Sequence, residues 1–489
     1  MTVYYIDRYA GSDSNSGLSE AAAWQNPSKV ATLSAGAIRP GDSVLIKRGG
    51  RWSGATGFLT FILQGDVGSR VPIDVSTYGR ATDPAPILSP GGASSQPGII
   101  TVDGSSRIDF RGLEVDGESQ ASLIGLSHNH TLGVNLASTI GVFDCYVHDC
   151  GTDGILTSCE PADLIQPTEI ARNVVRRCRN DGVSWFTNRG IRVAFNELSD
   201  VGAGAVSPID AGSGDAITGH YVSADCYVGF NRIRTCVDGM HLINEGSPTC
   251  TIEGNDIASY SRTAMTLDDL APPPERRQYM IRSNLITANA SATGFAAVVL
   301  GAYADGFGDF GNVFDVYFWN NAIINDHATA PSVSFSYVDD AGADTSFVNV
   351  RNNLFLGSGK YVRLVRRLRT PTVVFSNNHY GADASGKWIN ESTNRTLAQW
   401  QSDGFDADAT TGTGVTRGTN WASDPADASP VVGSAIHRAG ALLAPSLFPS
   451  AFGAGLLDRF GRSWPLSHAW DKGAVAGPEA RTWAKARRT

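Results

Sequence analysis

The sequence predicts an all-β solenoid, a stack of coils whose equivalent strands run parallel along one axis, on three observations. The first is a repeat. Between Leu113 and Asn378 a large apolar residue is followed three positions later by a key residue and two positions further by another apolar residue. The key positions are Leu113, Cys145, Asn173, Asn196, Asn231, Asn255, Asn284, Asn321, Asn353 and Asn378. The second observation is that both flanking columns stay apolar throughout, from Phe110, Val142 and Ile170 on one side to Val115, Val147 and Val175 on the other. Period-2 alternation on both sides of a turn residue reads as strand, bend, strand. The third is the spacing: repeats at roughly 20 to 40 residues define coils that bury their inner faces only by stacking.

Taken in chain order, residues 1–95 carry short apolar runs (44–46, 58–63, 73–75) and one helix-like stretch, 28–38, suited to capping the open end of the core. An uncapped terminal coil would invite edge pairing. Residues 96–380 form the coils, about ten or more of them. Asn suits the bend because it tolerates left-handed backbone angles, and stacked amides can hydrogen-bond along the axis. A further ladder of turns, at Asp153, Asp181, Asp215 and Asp238, introduces a second strand in successive coils; Asp followed by Gly before a strand is ordinarily a turn. Beyond it, parity sends Ile155, Val183, Ile217, Met240 and Met265 inward, and Leu156, Ser184, Thr218, His241 and Thr266 outward. Residues 381–489 lose the period, and tryptophans recur there, as in WINES, AQWQ and SWPL. This segment is expected to fold back along the coils or close their far end.

All seven cysteines lie between positions 145 and 250, and Cys150, Cys178 and Cys236 each stand five residues after a key position. That phase fits small buried hydrophobes stacked in a core. The odd count and the lack of metal-type spacing argue against a cystine framework or a zinc site. The formal net charge of −9, with no basic stripe, argues against nucleic acid, and no apolar run reaches the length of a membrane span. The N-terminus, MTVYYIDRYAG, lacks the basic and apolar regions of a signal peptide. That leaves retention in the cell, release by another route such as phage lysis, or absence of a leader from the expressed chain.

The opening YYIDRYAGSDSNSGLSEAAAWQNPSKVA with RPGDSVLIKRGGRW, and the closing SPVVGSA, DRFGRSWP and DKGAVAG, resemble the entry and exit segments of right-handed parallel β-helix proteins of the pectate lyase and phage tailspike type. The resemblance spans nearly the whole chain. It implies a right-handed parallel β-helix with an N-terminal helix cap and an irregular C-terminal segment. It also implies a carbohydrate-acting protein, extracellular or part of a phage virion, and the tailspike branch implies a homotrimer.

The chemically richest part of the repeat is the end of the second ladder of strands. Successive coils offer His220 and Tyr221, Asn244 and Glu245, Asp268 and Asp269, Tyr303 and Asp305, Asp339 and Asp340, then Arg363 with Arg366 and Arg367. Carboxylates on adjacent coils would stand about one sheet spacing apart, near the separation in retaining glycosidases, and those two coils apart near the inverting separation. Crowding also raises the proton affinity of one partner, as a general acid requires. Glu245, Asp268 and Asp269 are therefore the first candidates for glycosidic hydrolysis. A rival chemistry uses His241 and His220 as bases, with Tyr221 and Arg276 or Arg277, to abstract the proton beside a uronate carboxylate. Asn244, Tyr303, Asp305, Asp339, Arg363 and the aromatic Phe186 complete the expected substrate contacts. Acidic turns such as DDLAPPPERR and VDDAGAD are also able to hold calcium, or to be plain surface; no resident metal or other cofactor is expected. A third reading is a non-catalytic glycan-binding or structural β-helix.

Overall fold

The computed structural model describes residues 1–65, 69, 71–92, 98–105, 107–119, 124–129, 140–158, 168–186, 190–202, 214–222, 226–244, 249–269, 277–288, 296–300, 314–327, 329–335, 347–357, 359–364, 373–381, 387–390, 393–412, 415–417 and 428–430. The chain divides into two units, Met1–Ser223 and Ala224–Thr489. Both repeat one motif of three parallel strand lines per coil.

In the first unit the first line comprises Val3–Ile6, Ser43–Lys47, Ile73–Tyr78, Ile108–Arg111, Ile140–Phe143, Thr168–Ala171 and Ile191–Ala194, each parallel to the next. The second line begins after a bend and contains Glu114–Asp116, Tyr146–His148, Val174–Arg176 and Glu197–Val201. The third contains Leu59–Ile62, Gly98–Asp103, Ile124–Asn129, Ile155–Ser158, Val183–Phe186 and Asp215–Val222. Parallel strands need crossovers, and here each crossover is simply the rest of the coil. The predicted capping helix takes the form of a 3-10 helix, Pro27–Thr32, which buries Pro27 and Val30.

The second unit repeats the arrangement. Its first line runs through Cys226–Gly229, Thr249–Glu253, Arg277–Arg282, Phe314–Trp319, Phe347–Arg351 and Val373–Ser376. Arg232–Asn244 and Asp256–Asp269 each span both remaining lines, with a register shift between Cys236 and Asp238 marking the corner. Later coils separate them again, the third line continuing as Val298–Leu300, Pro331–Phe335, Lys360–Leu364 and Trp388–Asn390.

The asparagine repeat is a hydrogen-bonded ladder within each unit. Asn284 is representative: its Nδ2 donates to Asn321 Oδ1 (3.0 Å) and to the Ile252 carbonyl one coil back (3.0 Å), while its own Oδ1 accepts from both the backbone N and the Nδ2 of Asn255 (3.0 Å each). The expectation that Asn itself takes the left-handed angle is corrected. The left-handed residue is the one before it: Asp144, Arg172, Phe195, Phe230, Gly254, Ser283, Asn320, Asn352 and Asn377 all have positive φ. Asn is selected by its amide, which satisfies buried backbone groups at a bend where neither strand line supplies partners. The six described cysteines are free and buried, as their phase requires.

The ladder ends on a carboxylate. Asp406 accepts from Asn378 Nδ2 (2.9 Å) and from Tyr380 Oη (2.7 Å), and burial raises its proton affinity above the ordinary aspartate value despite those bonds. A raised folded pKa means that the stabilising contribution is present at acid pH and is lost as pH rises through that value. Asp406→Asn, which turns the last rung into an amide, is expected to raise the melting temperature at neutral pH and to remove this acid-side gain. Thermal melts of both proteins across the acid range measure it. Beyond this rung the helix Leu397–Ser402 is capped by Thr396 and Gln399 in a capping box, and Trp400 packs its ring against Phe375 (5.3 Å) and Phe405 (4.4 Å). Two of the C-terminal tryptophans, Trp388 and Trp400, are thus buried core; those from Trp421 onward lie outside the described residues.

Candidate functional site on the third strand line

Strand parity in the third line follows the repeat. Ile155, Val183 and Ile217 pair in register in the first unit, as do Met240 and Met265 in the second, and all are fully buried. The aspartate ladder is structural. Asp153 Oδ1 accepts from the Asp181 backbone N (3.2 Å) and its Oδ2 from Ser184 Oγ (2.9 Å), Asp181 Oδ1 accepts from Asp215 N (3.0 Å), and Asp238 Oδ1 accepts from Thr263 N (2.8 Å) while its other oxygen pairs with Arg262. Each carboxylate caps the coil that follows it.

Outward does not mean exposed. Ser184, Thr218, Thr266, Val299 and Ser334 point away from the core yet are buried. Among the described residues of these strands, the half-exposed outward groups are Leu156, Ser158, Phe186 and His220 in the first unit, and His241, Ile243 and Arg363 in the second. In the first unit Phe186 and His220 are register partners, and their rings stack with centroids 4.7 Å apart and planes 8° from parallel. Beneath them Trp185 points into the core opposite Gly219, where an added Cβ would stand 2.4 Å from the indole. Gly219 is what admits that ring, and the packed layer fixes the level at which His220 leaves the strand.

In the second unit His241 stands opposite Thr266, and the outward row continues through Val299 and Ser334 to Arg363. Asp268 is opposite Ile243, and Asp269 is opposite Asn244. Of the expected catalytic carboxylates, the described backbone covers Asp268 and Asp269, which end one strand. The side chains of Tyr221, Asn244, Asp268, Asp269 and Arg277 are not among those described, and Glu245, Arg276, Tyr303, Asp305, Asp339 and most of the long insertions lie outside the described residues. Arg277 opens the first-line strand Arg277–Arg282, opposite Phe314, so its backbone belongs to a different line from that of His241.

A second charged cluster, absent from the sequence-based candidates, sits on the outer side of the second line of the first unit. His148 Nδ1 lies 2.6 Å from Asp149 Oδ2 and 3.9 Å from Asp116 Oδ1, and its Nε2 lies 3.4 Å from Glu114 Oε1. Arg177 grips Asp149 through two bonds of 2.6 and 2.7 Å, and Arg51 reaches Asp116 at 3.2 Å. The Arg177 guanidinium holds Asp149 down at about 2. Asp116, His148 and Asp149 have the atom types of a metal site. Two guanidinium groups already occupy the carboxylates, and a hard cation such as calcium prefers an all-oxygen shell. The cluster therefore reads as an ion-pair network joining consecutive coils. The repeat itself locates it: Asp116 and His148 stand three residues after a key position and pair in register, and Arg177 follows Arg176, the next residue of that register.

No protein-family model matches the chain, and no curated protein matches it. Solved structures do. The protein XylC, determined in complex with xylose, aligns over 97% of this chain and 98% of its own at 10% identity, with a TM-score of 0.52. A GH136 lacto-N-biosidase from Eubacterium ramulus aligns over 84% of this chain and 66% of its own at 14% identity, with a TM-score of 0.47. This chain thus spans slightly less than two thirds of that enzyme. Pectate lyase Pel9A aligns over 98% and 96% at 14% identity, with a TM-score of 0.43. The strand lines and ladders described above define a right-handed parallel β-helix protein, and the likeness to XylC is one of fold.

Proposed function

We propose that this chain is a polysaccharide-degrading enzyme, an endo-acting depolymerase of the glycoside hydrolase type. Its substrate would be a bacterial surface or extracellular polysaccharide, bound along the outer side of the third strand line. The observation that carries this reading is made in each unit by itself: half-exposed outward groups stand on its third line, the stacked Phe186 and His220 in the first unit and, on a row of their own, His241 and Arg363 in the second. Flat aromatic faces stack on the apolar faces of sugar rings, and rigid strands hold them at fixed spacing. Glu245, Asp268 and Asp269 are the proposed acid and base or nucleophile, since they follow His241 on the same strand ends in two consecutive coils.

A second reading, a lyase or epimerase acting on a uronic-acid polymer, is favoured by His241, an outward imidazole on the row that also carries Arg363. Incubation with a panel of capsular and cell-wall polysaccharides separates the two. Hydrolysis predicts new reducing ends without absorbance from an unsaturated uronate, and lyase chemistry predicts that absorbance. Neither signal with retained binding supports a glycan-binding protein, and neither signal with no binding contradicts the proposal.

A further inference from the structure

On the first strand line the outward face is covered in the second unit. Strand alternation sends Ile252, Ile281 and Phe318 into the core and Thr251, Met280, Tyr317 and Asn349 outward, with Glu253, Arg282, Trp319 and Arg351 in the neighbouring outward row. Met280 and Trp319 are nevertheless fully buried, and Glu253, Arg282 and Asn349 nearly so. Row neighbours one sheet spacing away screen the flanks of a side chain but not its top, so a wholly buried outward Trp or Met has a further layer over it. In the first unit the same face carries Asp74, Arg111, Glu169 and Arg192, whose side chains are each a third or more exposed. Its Phe143 lies beneath the Arg111 guanidinium, 4.1 Å away.

The covering layer belongs to this chain, since the burial is that of a single copy. The loops that feed the line are poorly placed to supply it. They enter at Arg277, Phe314 and Phe347, whereas Arg282 and Trp319 stand at the opposite ends of their strands, about 17 Å away. At no more than about 3.5 Å per residue, 270–276 is too short to reach Arg282 and return, and 301–313 and 336–346 have little length to pass beyond their own coils. A cover over successive strands needs a longer segment, and the chain after Pro430 has the length. Residues 439–457 include Leu442, Leu443, Leu447, Phe448, Leu456 and Leu457 and no Asp, Glu, Lys or Arg, so this run needs an apolar partner. The last coil of the core has its own: Trp400 and Phe405 pack on it through Phe375.

We infer that the outer face of the first line in the second unit is the docking face of the C-terminal segment 431–489, with the apolar run 439–457 over Met280 and Trp319. The two surfaces match in chemistry. Met280, Tyr317 and Trp319 offer an apolar strip, and Glu253 and Arg282 neutralise each other at 2.6 Å, so no unpaired charge of theirs opposes an uncharged run. The docking holds whether or not the chain acts on glycan.

Methionine oxidation in the full chain tests it, because the 4 methionines report separately. Met1 is exposed, Met240 and Met265 are core, and Met280 lies under the proposed cover. In dilute peroxide, native Met280 is expected to oxidise as slowly as Met240 and Met265. In a Leu443→Glu, Phe448→Glu double variant its rate is expected to rise about tenfold or more, towards that of Met1, while Met240 and Met265 stay protected. Photocrosslinking of the full chain carrying p-benzoylphenylalanine in place of Tyr317, followed by peptide mapping, identifies the occupant even where the double variant does not fold. A crosslink to 431–489 of the same copy is expected. Rapid oxidation of native Met280, or an unchanged Met280 rate in a folded double variant, would overturn the inference. So would a crosslink to 301–313, to 336–346 or to a second copy, or no crosslink at all. None of these outcomes touches the depolymerase reading.

Discussion

Asn284→Ala is expected to lower the melting temperature by roughly 10 °C or to prevent accumulation of folded protein. The side chain is fully buried, and its removal leaves the Asn255 backbone N without its acceptor and takes one donor from each of the Ile252 carbonyl and Asn321 Oδ1. Each buried group stripped of its partner costs about 1–3 kcal/mol, so the sum is of order 3–6 kcal/mol, a large share of ordinary domain stability. Asn284→Leu is expected to do no better, because volume is restored and hydrogen bonds are not. The amide ladder starts at Asn173: the Cys145 backbone N–H donates to Asn173 Oδ1 (2.9 Å), and Cys145 has no side-chain amide to carry the ladder back to Leu113. Circular dichroism melts of Asn284→Ala and Asn284→Leu beside the native protein measure the effect, and a shift of only a degree or two would mean that the ladder is not structural.

The second large effect concerns the buried pair Glu253 and Arg282, register neighbours in the first line of the second unit. Arg282 Nε donates to Glu253 Oε2 (2.6 Å), and Tyr227 Oη donates to Oε1 (2.8 Å). Arg282→Met leaves a buried carboxylate held by one phenol, a loss of about 3–5 kcal/mol. Glu253→Leu leaves a buried guanidinium and is expected to cost a similar amount. The double variant removes both charges and is expected to lie within about 2 kcal/mol of the native protein, since a buried ion pair roughly balances its own desolvation. Chemical denaturation of the four proteins closes the cycle. Additive losses in the double variant would show that the two side chains act independently.

The repeat made the coils legible because burial on the inner face is a one-dimensional constraint: an apolar residue before and after each bend is visible without any knowledge of the fold. It also sets the parity of the third line: Phe186 and His220 stand two residues beyond the outward Ser184 and Thr218, so they share an outward row, and they stack. It did not reveal that the left-handed residue precedes the asparagine, since that residue varies from Asp144 and Arg172 to Phe195 and Ser283 and carries no common side-chain signal. Nor did parity reveal burial. An outward Thr218 or Ser334 looks the same in sequence whether or not other parts of the chain cover it. The His148 network carries a weaker signal than the acid-rich strand ends, although Asp116 and His148 stand three residues on from successive key positions.

The central claim, that glycan is processed along the third line, is tested most directly by mapping activity onto the strand lines. With a polysaccharide that the native protein cleaves, kcat/KM is measured for His241→Gln, Glu245→Gln, Asp268→Asn and Asp269→Asn, and for Arg192→Gln on the exposed outer side of the first line. At least one third-line variant is expected to fall by a factor of about a hundred or more while melting with the native protein, and Arg192→Gln is expected to stay within about twofold. Full activity in all four third-line variants would contradict the account.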